Sequence, residues 1–352
     1  MERRSFLAVS GAALTNPAAF TFPSGRAVAP GGAASHGPVV TEAVADSIAA
    51  TVDAIRHIDD AEGGNRSTLH HAHRHFTLVA DHVLGNRFAT SEIRVRTINL
   101  WAQLAQTVGW MAMDAGLHGL AQRYFRTGLA GAHESGDAAL TSHIYSCLTY
   151  QATTLGRLRD AIDLANAAIV TASAAPPTVR ALAAARHAHA HAALGDVHGF
   201  RRSTDEALEH LGHPDAIGSR PPWLYWLTDL DVVTGQTLIT AAFSGAPDAH
   251  RLLAEADPLI TPWLGTHAER TEDRDALLHG TWLARSYLRR DELEQSLTTA
   301  ASLVSYAATV RSAQVTEVLR TLDADFTARP ELRTHPEVID LRERLRRTSA
   351  AV

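Results

Sequence analysis

A turn signature recurs along this 352-residue chain at steps of about forty residues, and it limits the possible folds more than any other feature. "MDAGLHGLAQRYFRTGLAGAHESGD", "TTLGRLRDAIDLANAAIV" and "AALGDVHGFRRSTDEALEHL" each set a glycine at a helix end, followed five positions later by Ala121, Ala161 or Phe200. Gly116, Gly156 and Gly195 stand 40 and 39 residues apart, and Gly245 follows after 50, with the Pro-rich "GHPDAIGSRPPW" absorbing the excess. In "ARSYLRRDELEQSLTTAASLV" the pattern continues with an arginine in the glycine's place. Glycine supplies the left-handed residue that ends a helix, and a small residue beyond it lets the next helix approach closely. Gly156→Val is therefore expected to destabilise strongly. Two antiparallel helices per step, each burying one side and stacking to bury the other, predict an all-α chain built as an α-solenoid, a superhelix with a concave groove.

The rest of the chain from Val39 reads the same way. In "TEAVADSIAATVDAIRHIDDAEGG", Val44, Ile48, Val52 and Ile55 form one apolar stripe that ends at Gly63-Gly64. "STLHHAHRHFTLVADHVLGN" starts at a Ser67 cap and stops at Gly85-Asn86, and the next helix runs to Gly116. No strand-like alternation interrupts them. Residues 1–38 differ: Arg3-Arg4-Ser5-Phe6-Leu7 and the apolar stretch after it fit a twin-arginine export signal, and Ser24 to Pro38 is written like a flexible linker. Ser10, Gly11, Asn16 and Pro17 break that apolar stretch, which argues against a membrane anchor. The expected organisation is a signal-like or linker segment over 1–38 and one helical repeat domain over 39–352.

With 45% hydrophobic and 20% charged residues, the chain has material for a core. Its net charge of -6 gives no cationic field for a phosphate backbone, and Arg342, Arg344, Arg346 and Arg347 form only a basic helix end. One cysteine, Cys147, excludes an internal disulfide and a CxxC motif. His143 lies one helical turn before it, yet neither an oxyanion hole nor an orienting carboxylate is signalled. Phosphate loops, nucleophile elbows and HExxH are absent too, so the chain reads as a binding module rather than an enzyme, and no cofactor is expected. His71 with His75, and His187 with His191, have the spacing for two imidazoles on one helix face. Two ligands are not a zinc site, and half-exposed surface histidines are the plainer reading.

The repeats are TPR-like: the glycine and the following alanine fit the tetratricopeptide pattern, while its tryptophan and helix-closing proline are mostly absent. A closer resemblance covers roughly residues 39 to 347. "AMDAGLHGLAQRYFRTGLAGAHESGDAALTSHIYSCLTYQATTLGRLRDAIDLANAAI", "LHGTWLARSYLRRDELEQSLTTAASLVSYAATVRSAQVTEVLRTLDADF", "RTHPEVIDLRERL" and "IDDAEGG" resemble the C-terminal TPR-like region of streptomycete and other actinobacterial helix-turn-helix regulators of the Cro/CI (XRE) type. Such regulators carry an "RRSFLxxSGAAL"-type segment between DNA-binding domain and repeats. Here that segment is the N-terminus, so DNA binding is not carried over.

The resemblance implies a regulatory sensing or protein-interaction module in the control of development or secondary metabolism. Its partners would be a peptide, a small molecule, a second copy or a helix-turn-helix regulator, and its location the cytoplasm. A biosynthetic enzyme on the same scaffold and a twin-arginine-exported binding protein are the alternatives. In a TPR-like superhelix the first helix of each pair lines the groove, where carboxamides and aromatic rings hold ligands. The candidates are Asn99, Gln103 and Trp110, then Tyr145, Tyr150 and Gln151, then Trp223, Tyr225, Trp226 and Asp229. "PPWLYWLTDLD" is the preferred ligand wall because aromatics concentrate there.

Overall fold

The computed structural model describes residues 38–264, 273–307, 310 and 312–350. The expectations for an export signal and linker therefore lie outside the described residues, except for Pro38. Among the described residues the protein is all-helical, with fourteen α-helices and one pair of two-residue strands. In chain order these are β1 (Val39–Val40), α1 (Glu42–Glu62), α2 (Arg66–Gly85), β2 (Arg87–Phe88), α3 (Ser91–Asp114) and α4 (His118–Ser135). Then come α5 (Ala138–Thr154), α6 (Leu158–Thr171), α7 (Pro177–Ala193), α8 (Val197–Leu211) and α9 (Asp231–Phe243). The last five are α10 (Ala249–Ile260), α11 (Asp273–Arg289), α12 (Leu293–Ala307), α13 (Ala313–Thr327) and α14 (Pro336–Ala350). β1 pairs in parallel with β2, Val39 opposite Arg87, a ladder too short to show any alternation. Val40 is buried there with Ala45 and Ile93.

Each odd-numbered helix packs on the even-numbered helix after it, and odd-numbered helices pack on one another in turn, α3 on α5, α5 on α7, α7 on α9 and α9 on α11. The turn inside each pair repeats one geometry. Gly116, Gly156, Gly195 and Gly245 all have φ between 69° and 85°. The residue after each glycine closes a ring of six back onto the helix, as in Leu117 N–H to Ala112 O (2.8 Å) and Arg157 N–H to Ala152 O (2.8 Å). At the fifth turn the left-handed residue is Asp291 (φ 65°), one place beyond the arginine expected there, and Glu292 N–H bonds Tyr287 O at 3.0 Å. Aspartate tolerates this conformation better than arginine. The buried Ser296 stands five residues on, where the earlier turns carry Ala121, Ala161 and Phe200. A second boundary also moves. Asn65, not Ser67, caps α2, because its side chain accepts from Ser67 and Thr68 N–H while Thr68 Oγ1 accepts from Asn65 N–H.

Three apolar clusters follow one another along the chain, the first from α1 to α8 and the α8–α9 connection, the second from α7 to α11 and the third from α11 to α14. Small residues set the closest approaches: a Cβ on Gly109 would stand 2.7 Å from the Phe125 ring, and one on Gly131 2.9 Å from Ala102 Cβ.

The two ends of the succession also meet. Asp114, at the end of α3, accepts from Gly64 N–H (2.7 Å) between α1 and α2, and from Ser312 Oγ (2.6 Å), the cap of α13. Arg274 of α11 reaches the same place, 3.8 Å from Asp114 Oδ2 and 3.7 Å from Asp59 Oδ1 of α1. No described helix is long and apolar enough to cross a membrane.

Candidate functional site

Where the odd-numbered helices face one another they leave a cavity of about 240 Å³. All seven of them contribute to its wall, from Arg56 on α1 to Gln314 on α13. On α5, His143, Ser146, Cys147 and Tyr150 recur at helical spacing and form one inward stripe. Leu182 and Arg186, four residues apart, do the same on α7. The connection between α8 and α9 forms part of the wall. It is more than a spacer: Trp223 stacks on His143 with ring centroids 4.7 Å apart, and the Tyr225 hydroxyl donates to Asp60 of α1. Trp110 and Trp282 complete an aromatic lining.

The wall around Arg186 is buried and uncharged apart from Arg186 itself. Arg186 is 8% exposed and lies over the Tyr150 ring, 4.5 Å from its centroid. Burial, reinforced by Arg186, pushes the imidazoles of His143 and His189 down to about 3, so both are neutral near pH 7. Burial pushes the Cys147 thiol up to about 12. Cys147 Sγ lies 4.0 Å from His143 Nε2, yet the thiol keeps its proton and the imidazole cannot take it, so the two are not a nucleophile and base. The Tyr150 hydroxyl accepts from Gln236 Nε2 (3.4 Å) on α9 and Gln314 Nε2 (3.3 Å) on α13, joining three helices at one point.

The rest of the wall is charged, with carboxylates gathered around Arg274. Burial raises Asp59 to about 7 and also raises Asp114, while Arg274, beside Asp275, Asp59 and Asp114, holds its proton more firmly than a free arginine. Arg56 is paired with Asp53 (3.0 Å) and donates to Gln103.

Of the sequence candidates, Trp110, Tyr150, Trp223, Tyr225, Trp226 and Asp229 line this cavity. Asn99 and Gln103 do not. They border a shallower, more open depression with Asp137, where Asn99 Nδ2 donates to Asp137 Oδ2 (2.8 Å) and Gln103 Nε2 to Asn99 Oδ1 (2.5 Å). Tyr145 and Gln151 face away from the stripe of α5 into packed surroundings, with Gln151 donating to His118 O at 3.0 Å. α5 is buried on nearly every side, so helical rotation, and not residue type, decides which polar group meets the cavity.

The histidine pairs stay apart. His71 and His75 pack ring to ring at 4.6 Å. His187 bonds His191 (3.0 Å) and Ser203 Oγ (3.1 Å), and His191 Nδ1 lies 2.8 Å from Asp196. No group of three or more metal-binding side chains occurs among the described residues. The terminal arginines are each beside a carboxylate, Arg342 and Arg346 with Asp323, Arg344 with Asp340 and Arg347 with Glu343.

Arg186 had no place among the sequence candidates, and His143 entered only as a neighbour of Cys147. The available signal was an arginine set among alanines in "ALAAARHAHAHAAL", on a helix whose inward face has no other charge. Compared with family models and with curated proteins, the chain finds no match in either.

Proposed function

We propose that this protein is a sensing module that binds a small molecule inside a TPR-like superhelix of helix pairs and signals occupancy to a partner protein. The observation that carries this reading is a cavity touched by all seven odd-numbered helices of the described residues. A ligand there contacts every pair at once, so binding biases how the pairs are set against one another, which is the differential contact that a switch requires. A small molecule is favoured over an extended peptide because α3 and α13, from opposite ends of the helix succession, meet and the α8–α9 connection is tied to α1. The resemblance to helix-turn-helix regulators supports a regulatory output, with such a regulator or a second copy as the partner.

Native mass spectrometry of the purified protein tests the reading, together with melting curves over a library of small metabolites. The expected result is a retained or added small molecule that raises the melting temperature, as selective binding to the folded state requires. Val233→Trp, which fills the cavity from α9, abolishes that rise while the protein still folds. Stabilisation that survives in the filled variant would place the ligand elsewhere. On mixing with a helix-turn-helix regulator, a complex in size-exclusion chromatography that depends on the ligand supports the proposed output.

A further inference from the structure

The cavity holds one arginine that the fold leaves without a carboxylate. Three arginines line it, and two of them are paired with carboxylates: Arg274 with Asp59, Asp114 and Asp275, and Arg56 with Asp53. Arg186 is not. No carboxylate among the described residues is paired with it, and its electrostatic neighbours are the Tyr150 ring and the protonated Cys147 thiol. Near it, His143 and His189 are neutral, and Ser146 Oγ on the same stripe of α5 has no hydrogen-bond partner among the described residues. A guanidinium does not escape this situation by losing its proton, because it stays charged under all conditions where the protein is folded. Burying a cation without an anion is unfavourable for folding, and the cation–π contact with Tyr150 offsets only part of that. An anion entering the cavity recovers the remainder.

The geometry points to a ligand with one carboxylate seated on Arg186 and an aromatic or apolar body lying against Trp110, Trp223 and Trp282. This rests on the small-molecule reading above and adds its chemistry. A single planar fork matches a single carboxylate in bidentate fashion. A dianion is disfavoured because the remaining wall presents Asp59, Asp60, Asp229 and Asp275. A cavity of about 240 Å³ exceeds the roughly 150 Å³ that admits benzene, so a ring system with a short acidic arm fits.

The test is calorimetric titration of the full chain with matched sets on two body sizes: indole-3-acetate, indole-3-acetamide and tryptamine, and benzoate with benzamide. Within a set the acid is expected to bind more tightly than the amide by about tenfold or more, the scale of one charge-assisted bidentate pair. Arg186→Met is expected to bring that ratio to about one while retaining amide binding, and Arg186→Lys to keep part of the preference. The ligand-free Arg186→Met protein is expected to melt no lower than the parent, because it no longer buries an unpaired charge. Equal binding of acid and amide, tighter binding of tryptamine, or an acid preference that survives in Arg186→Met would each overturn the assignment and leave the cavity reading standing. Failure of all five probes to bind the parent would overturn both. The parent's acid-to-amide ratio decides the matter even if a variant does not fold.

Discussion

His143 and His189 carry the clearest consequence of burial for single residues. Both are held down to about 3, against 6.5 for an exposed imidazole, so between these values the unfolded chain binds protons that the folded chain refuses. Their contribution to stability is complete above about 6.5 and is lost progressively as the pH falls toward 3. Asp59 acts in the opposite sense. Raised from 3.8 to about 7, it favours the folded state most below about 3.8, and that advantage disappears as the pH rises through 7. His143→Gln is therefore expected to lower stability at pH 7.5 by about 1 kcal/mol through loss of the stacked Trp223 contact, with the deficit shrinking as the pH falls to 5. Urea unfolding of parent and variant at both pH values measures this, and a deficit that grows on acidification would contradict it.

At the scale of elements, glycines of two kinds hold the helix pairs together. Gly156 has φ 69° with open space where a side chain would lie, so Gly156→Ala pays only the left-handed backbone term, about 1–2 kcal/mol. The expectation of a severe effect there thus softens for a small side chain. Gly64 is the reverse case. A Cβ on it would stand 1.9 Å from the Met111 carbonyl oxygen of α3, and its N–H serves Asp114. Gly64→Ala must push α3 away from the α1–α2 turn, and denaturant midpoints are expected to rank it well below Gly156→Ala in stability. The fifth turn manages with Asp291, whose carboxylate meets Arg329.

For the whole molecule, the junction of Asp59, Asp114, Arg274 and Ser312 decides whether the pairs form an open arc or surround a cavity. Arg274→Met would leave two buried carboxylates without their cation, a loss of about 3–5 kcal/mol by comparison with other broken buried pairs. The expected outcome is a lower denaturant midpoint together with a larger radius of gyration in small-angle scattering, since α11 and α13 are no longer tied to α1 and α3. Adding Asp59→Asn should restore part of the stability by removing one uncompensated charge. An unchanged radius of gyration would show that apolar contacts alone keep the ends together.

The helices and most of their turns were legible in the chain itself, because left-handed glycines and the 3.6-residue apolar period act within a few residues of one another. The aromatic cluster around Trp223 was legible for a related reason: rings concentrated in an insertion have no helix face of their own to cover. The fate of Tyr145 and Gln151 was not, since α5 is buried on nearly all sides and only its rotation against its neighbours selects the inward stripe. Nor did any local pattern mark Arg186 as unpaired or Arg274 as the tie to α1. Each depends on small rotations accumulated from pair to pair, which bring residues as far apart as Asp114 and Ser312 within 2.6 Å. Short-range physics determined the pairs, and long-range packing alone decided that they enclose a cavity and which arginine inside it stands without a carboxylate.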